Sequence, residues 1–132
     1  MRYLGIDYGS KNIGLALSDE DGTMGFPHGV LGNDARLLDE LTGLIERENV
    51  KVIVIGDSRN YQGGENAIME AAHGLADTLH QPTKLPVVFE PEMLTTQEAR
   101  RDFEGVHQRK TGHMDASAAA LILTSYLSHT TK

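Results

Sequence analysis

Two short apolar runs, Tyr3–Ile6 and Ile13–Leu17, flank the polar stretch Tyr8-Gly9-Ser10-Lys11-Asn12. Each run has the length and composition of a β-strand, and Gly9 supplies the freedom a tight turn needs. Asp19-Glu20-Asp21-Gly22 carries an Asp-Gly turn signal, after which residues 23–31 predict a third strand. Pro27 weakens that strand and places it at a sheet edge. Three strands joined by short turns make an antiparallel meander.

The period then changes. Leu37, Leu38, Leu41, Leu44 and Ile45 recur at helical spacing after the start signal Gly32-Asn33-Asp34, predicting a helix over 34–48. Its charged face (Asp34, Arg36, Asp39, Glu40, Glu46, Arg47, Glu48) reads as solvated. Lys51–Gly56 is a nearly unbroken β-branched run, the pattern of a strand buried on both faces. The helix before it makes a crossover, so this strand lies parallel to the first. A polar loop, 57–64, follows at the edge where open α/β sheets bind ligands. A second helix is predicted over 65–80, with Ile68, Ala71, Ala72, Leu75, Ala76 and Leu79 as its apolar stripe, closed off by Pro82 and Lys84. Pro86–Glu90 is a further parallel strand, delivering Glu90 and Glu92 to the edge that carries Asp7. Thr95 with Glu98 matches a capping box and opens a helix over 94–101. A polar loop over 105–113 leads to a last helix from Met114, with Ala119, Ala120, Leu123, Tyr126 and Leu127 as its core stripe. The fold class is therefore α/β. Its mixed five-stranded sheet has three antiparallel strands and then two parallel ones, flanked by helices.

The 132 residues suit one domain, spanning 1–132. No cysteine is present, which excludes disulfides and thiolate metal sites. No apolar run approaches a membrane span, and the short N-terminal run ends at Asp7 rather than continuing as a signal peptide. A cytoplasmic protein is expected. The net charge of −7 weighs against bulk electrostatic binding of nucleic acid, which draws on a basic face.

The chemistry lies in the acids. Asp7 ends the first strand beside a glycine turn, where it can cap the turn or reach a ligand. Glu90 or Glu92 ends the last strand, and Asp115 opens the final helix, where the helix dipole alone would favour an acid. Carboxylates converging from separate elements repel unless a cation lies among them. Oxygen donors without thiolates select Mg²⁺ or Mn²⁺, and a pair of such ions suits in-line hydrolysis of a phosphodiester. Asp57 lies on the same edge and could be an extra ligand, but solvation of the loop explains it better.

Residues 4–18, Leu-Gly-Ile-Asp-Tyr-Gly-Ser-Lys-Asn-Ile-Gly-Leu-Ala-Leu-Ser, resemble the opening motif of the YqgF family. The likeness continues through Val52–Gly56, Gly63-Gly64, Leu94-Thr95-Thr96 and His113–Leu123. The family comprises RNase H-like proteins described as pre-16S rRNA nucleases and Holliday junction resolvase homologues. The resemblance implies a hydrolase with a divalent-metal acidic triad: Asp7, Glu92 and Asp115, holding two Mg²⁺ or Mn²⁺ ions. One departure stands out. Where the family commonly has Asp-Glu-Arg, this chain has Pro91-Glu92-Met93, and Glu90 is a possible substitute acid. The Gly-x-Pro after the middle strand is likewise Gly56-Asp57-Ser58 here. The expected partner is nucleic acid, either structured RNA or a four-way DNA junction. Lys11, Arg100, Arg101, Arg109 and Lys110, with His107 and His113, are candidates to grip its backbone. Monomer and homodimer both stay open. Two rival readings remain: a phosphotransferase lobe, which would need a second Asp-x-Gly strand pair, and a non-catalytic ribosome-assembly factor that has lost the activity.

Overall fold

The computed structural model describes residues 1–9, 11–57, 67–91 and 111–130. Five strands form one sheet in the order β3-β2-β1-β4-β5: β1 (Arg2–Tyr8), β2 (Asn12–Ser18), β3 (Gly25–Gly32), β4 (Val50–Asp57) and β5 (Val87–Pro91). β1, β2 and β3 pair antiparallel, and β1 with β4 and β4 with β5 pair parallel, as the pattern predicts. Three helices are described: α1 (Leu37–Glu48), α2 (Ala67–Thr83) and α3 (Thr111–Thr130).

Each face of the sheet has its own core. On one face Leu4, Ile6, Ile13, Leu15, Ile53 and Ile55 pack with Leu37, Leu41, Leu44 and Ile45 of α1 and with Ala72, Ala76 and Leu79 of α2. On the other, Ala16 and Val54 pack with Ala119, Ala120, Ile122, Leu123 and Leu127 of α3. Period-two alternation along β1 sends Leu4 and Ile6 to the first face and Gly5 and Asp7 to the second. His73 of α2 stacks on Phe89 of β5 with ring centroids 4.3 Å apart.

α3 lies close against the sheet because the sheet has no side chains in its way. A Cβ on Gly5 would stand 2.9 Å from Leu123 Cβ and 3.0 Å from the carbonyl oxygen of Ala119. One on Gly25 would meet Leu123 Cβ at 2.9 Å and the Ala120 carbonyl at 3.0 Å. Thr124 Oγ1 accepts the Gly25 N–H at 3.0 Å, tying the helix to the edge strand.

Several boundaries differ from the sequence reading. α1 begins at Leu37 and not at Asp34. Asp34 Oδ1 accepts the Arg36 N–H at 3.0 Å and its carbonyl accepts the Leu37 N–H, so the start signal forms a side-chain turn ahead of the helix. Glu48 is no solvated charge, for Arg2 Nη1 donates to it at 2.7 Å. α2 runs three residues past His80. Pro82 sits in its last turn, and Lys84 (φ 61°) closes it by donating its N–H to the His80 carbonyl at 2.8 Å. Ala71, assigned to the apolar stripe, is exposed at its margin. α3 starts at Thr111, so residues 111–113 are helical and not loop. The expected helix over 94–101 lies outside the described residues.

Candidate active site

Asp7 is one of two carboxylates that are buried among the described residues, at 7% exposure; the other is Glu90, at 4%. Strand register explains their relation. Asp7 follows the Ile6–Ile55 pair by one residue, which brings it level with Gly56, and Gly56 pairs with Glu90. The two acids thus share a level and a face of the sheet, with one strand between them. At the usual strand spacing their Cα atoms are about 10 Å apart. The residue between is a glycine, so no side chain fills the floor.

Glu90 is already engaged. Ser125 Oγ donates to Oε2 at 2.8 Å. His129 Nε2 lies 2.9 Å from Oε1 and 3.0 Å from Oε2, with its N–H donating. The nearby Tyr126 hydroxyl is pushed above its ordinary value of 10.0, first by burial and then by the neighbouring Tyr3 and Glu90 charges.

The turn between β1 and β2 is braced from β3. Asn33 Nδ2 donates to the Gly9 carbonyl at 2.9 Å, and the Asn33 N–H donates to the Lys11 carbonyl at 2.9 Å. A Cβ on Gly9 would stand 2.6 Å from the Asn12 carbonyl oxygen, so this turn requires glycine. Lys11 is exposed at its tip.

Asp115 lies in α3 one turn before Ala119, whose carbonyl abuts Gly5, two residues before Asp7. Glu92, Arg100, Arg101, His107, Arg109 and Lys110 lie outside the described residues, and of the Asp57, His113 and Asp115 residues only the backbone is described. Among the described residues no group of three or more metal-ligating side chains occurs. What is described fits a hard divalent cation: a buried carboxylate at a strand end, beside a floor cleared by Gly56, in a chain whose donors are oxygen and imidazole.

A cleft of about 860 Å³ lies elsewhere, at the N-terminal ends of β1 and β4. Met1, Arg2, Arg47 and Lys51 line it together with Glu20, Asp21 and Glu48. Its charges largely neutralise one another, and it sits at the sheet edge opposite Asp7. Size alone does not make it the site, since ligands of open α/β sheets bind at the C-terminal ends of the parallel strands.

The model of the RuvX family, described as Holliday junction resolvase, matches residues 1–129. The chain belongs to this family. A relative from Nitratidesulfovibrio vulgaris (strain DP4) is 35% identical over 132 residues, covering 96% of this chain and 93% of that one. One from Streptococcus suis (strain 05ZYH33) is 34% identical over 140 residues, covering 98% and 99%. Both bear the name "Putative pre-16S rRNA nuclease". Among solved structures, T. thermophilus RuvC in complex with Holliday junction substrate is 18% identical with a TM-score of 0.63, covering 96% of this chain and 94% of that one. The fowlpox virus resolvase in complex with Holliday junction DNA is 12% identical with a TM-score of 0.64, covering 100% of both. At such identities the likeness speaks for the fold, which is the RNase H-like fold that the resemblance of the opening motif implies. RuvX membership makes the chain a hydrolase of the nuclease class. Among the described residues, no helix is long and apolar enough to cross a membrane.

Proposed function

We propose that this RuvX-family chain is a divalent-metal-dependent endonuclease, acting as a single domain over residues 1–132 in the cytoplasm on the structured precursor of 16S rRNA. The observation that carries the reading is Asp7: a buried carboxylate at the C-terminal end of the central strand, level with a glycine and facing the helix that holds Asp115. A carboxylate held at that end of the strand stands where ligands of open α/β sheets bind, and its oxygens are of the kind a hard divalent cation takes.

Asp7, Glu92 and Asp115 would hold two Mg²⁺ or Mn²⁺ ions. When bound, such a pair supplies charge stabilisation on both sides of an in-line phosphodiester hydrolysis. Asp7, on the innermost element, would contribute its carboxylate to that set. Glu92 is favoured over Glu90 as the middle acid, since both Glu90 oxygens already accept hydrogen bonds from α3. Lys11 and the basic residues Arg100, Arg101, Arg109 and Lys110 bind the substrate backbone, offsetting locally the net charge of −7. The names of the two relatives favour precursor rRNA over a DNA junction as substrate.

The test is cleavage of precursor 16S RNA, single-stranded RNA and a four-way DNA junction in Mg²⁺ and Mn²⁺, with Asp7→Asn as control. The substitution keeps the side chain's shape and removes its charge. It should reduce cleavage about a hundredfold or more, the scale of several kcal/mol of lost charge stabilisation, while leaving the fold intact. Wild-type rates in Asp7→Asn would refute the metal-site reading. Folded wild-type protein that cuts none of the substrates would point to the non-catalytic assembly factor instead.

A further inference from the structure

Glu90 is out of keeping with its strand. Val87, Val88 and Phe89 before it are apolar, and Val88, on the same side, packs against the α3 core. An aliphatic side chain at position 90 would continue that packing. A carboxylate stands there instead, 4% exposed, and burying one demands full compensation. Among the described residues the compensation comes from one helix. Ser125 and His129 are four residues apart, so they project from the same face of α3 and close on the carboxylate together. Tyr126 buttresses them: its ring meets that of His129 edge-on at 5.7 Å and that of Tyr3 at 6.0 Å.

The clasp joins two particular elements. Glu92 follows β5 by one residue, and Asp115 lies near the start of α3. We infer that Glu90, Ser125 and His129 are positioning residues, a clasp that fixes β5 against α3 and thereby sets where Glu92 and Asp115 stand relative to Asp7. On this reading Glu90 does not itself hold a metal ion. The inference rests on the proposed function, because it concerns the alignment of that site's ligands. Partners that orient ligands in this way are worth about 10–100-fold in metal affinity or activity when removed.

The experiment titrates Mn²⁺ calorimetrically into the full chain without substrate, for wild type, Glu90→Gln, His129→Ala, His129→Gln and Asp7→Asn. The dependence of cleavage rate on Mn²⁺ is measured in parallel. His129→Ala and Glu90→Gln should each weaken Mn²⁺ binding about tenfold, with the lost rate recovered at saturating Mn²⁺. His129→Gln keeps an N–H donor and should restore most of the affinity. Two results overturn the inference alone while Asp7→Asn still loses Mn²⁺. In one, Glu90→Gln binds poorly but His129→Ala binds as wild type or more tightly, which makes Glu90 a ligand. In the other, the clasp variants melt at lower temperature yet bind Mn²⁺ normally, which makes the clasp merely structural. If Asp7→Asn binds Mn²⁺ like wild type, the proposed site falls and the clasp's role falls with it. Should Glu90→Gln fail to fold, His129→Ala decides, since that side chain is 56% exposed and its loss leaves no core cavity.

Discussion

At the scale of single residues, acids that look alike in sequence are sorted by their hydrogen bonds. Asp7, near the end of β1, and Asp19, just after β2, both precede a glycine within three residues, yet their surroundings differ. Asp19 is half-buried and caps the β2–β3 turn, accepting from the Thr23 N–H at 2.8 Å, Thr23 Oγ1 at 2.6 Å and the Met24 N–H at 3.2 Å. These donors, the Thr23 hydroxyl foremost, hold its carboxyl down at about 2 against an ordinary 3.8. A depressed acid stabilises the fold only while ionised. Its contribution is therefore complete above pH 3.8 and fades as pH falls toward 2. Thr23→Val, which deletes the principal donor, should move the Asp19 titration observed by NMR back toward 3.8. It should also reduce the loss of stability across that window. An unmoved titration would show that the two backbone donors suffice. Asp7 is buried and on the α3 face, and the sequence had already set it apart from the Asp-Gly turn that holds Asp19.

At the scale of elements, the contact between α3 and the sheet decides where the final acid stands. That contact depends on missing side chains at Gly5 and Gly25 and on small ones at Ala16, Ala119 and Ala120. Gly5→Ala should destabilise the protein by about 1–3 kcal/mol in urea unfolding, as overpacking of a close-packed core does, because one of the obstructing atoms is the Ala119 backbone carbonyl. The same variant should lose activity beyond its stability loss, since pushing α3 outward carries Asp115 with it. A variant that unfolds like wild type would mean the helix shifts freely, and α3 would then be no fixed platform. The strand directions, both crossovers and the edge position of β3 were legible in the sequence, because each rests on a period, a turn signal or a proline. The helix starts were less so. Asp34 forms a turn whether or not the helix begins there, and the last turn of α2 tolerates Pro82 because Lys84 takes the left-handed conformation beyond it. The clasp was not legible at all. Glu90 read as a spare acid at the catalytic edge, and only the fold brings Ser125 and His129, more than thirty positions later, onto its oxygens.

For the whole molecule, the open distinction is between cutting RNA once and cutting a symmetric junction twice. Resolution of a four-way junction requires paired cuts related by a two-fold axis, hence two active sites held on a dyad. Trimming a precursor RNA requires one. The β3 edge of the sheet does not invite edge-to-edge pairing. There β3 carries Pro27, which lacks an N–H, next to an irregularity where Leu15 pairs with Gly29 and Ala16 with Pro27, leaving His28 extra. Such features guard a strand against extension by a second copy. Under the proposed function, the rate of precursor 16S RNA cleavage per chain should be independent of chain concentration, even where sedimentation shows single chains. Substrate binding should weaken steeply with salt in proportion to the phosphates gripped by Arg100, Arg101, Arg109 and Lys110, and each Ala substitution there should shave the salt slope by about one. A rate per chain that instead climbs in proportion to chain concentration, together with paired symmetric nicks in a DNA junction, would transfer the assignment to recombination. It would also require a dyad built on some surface other than the β3 edge.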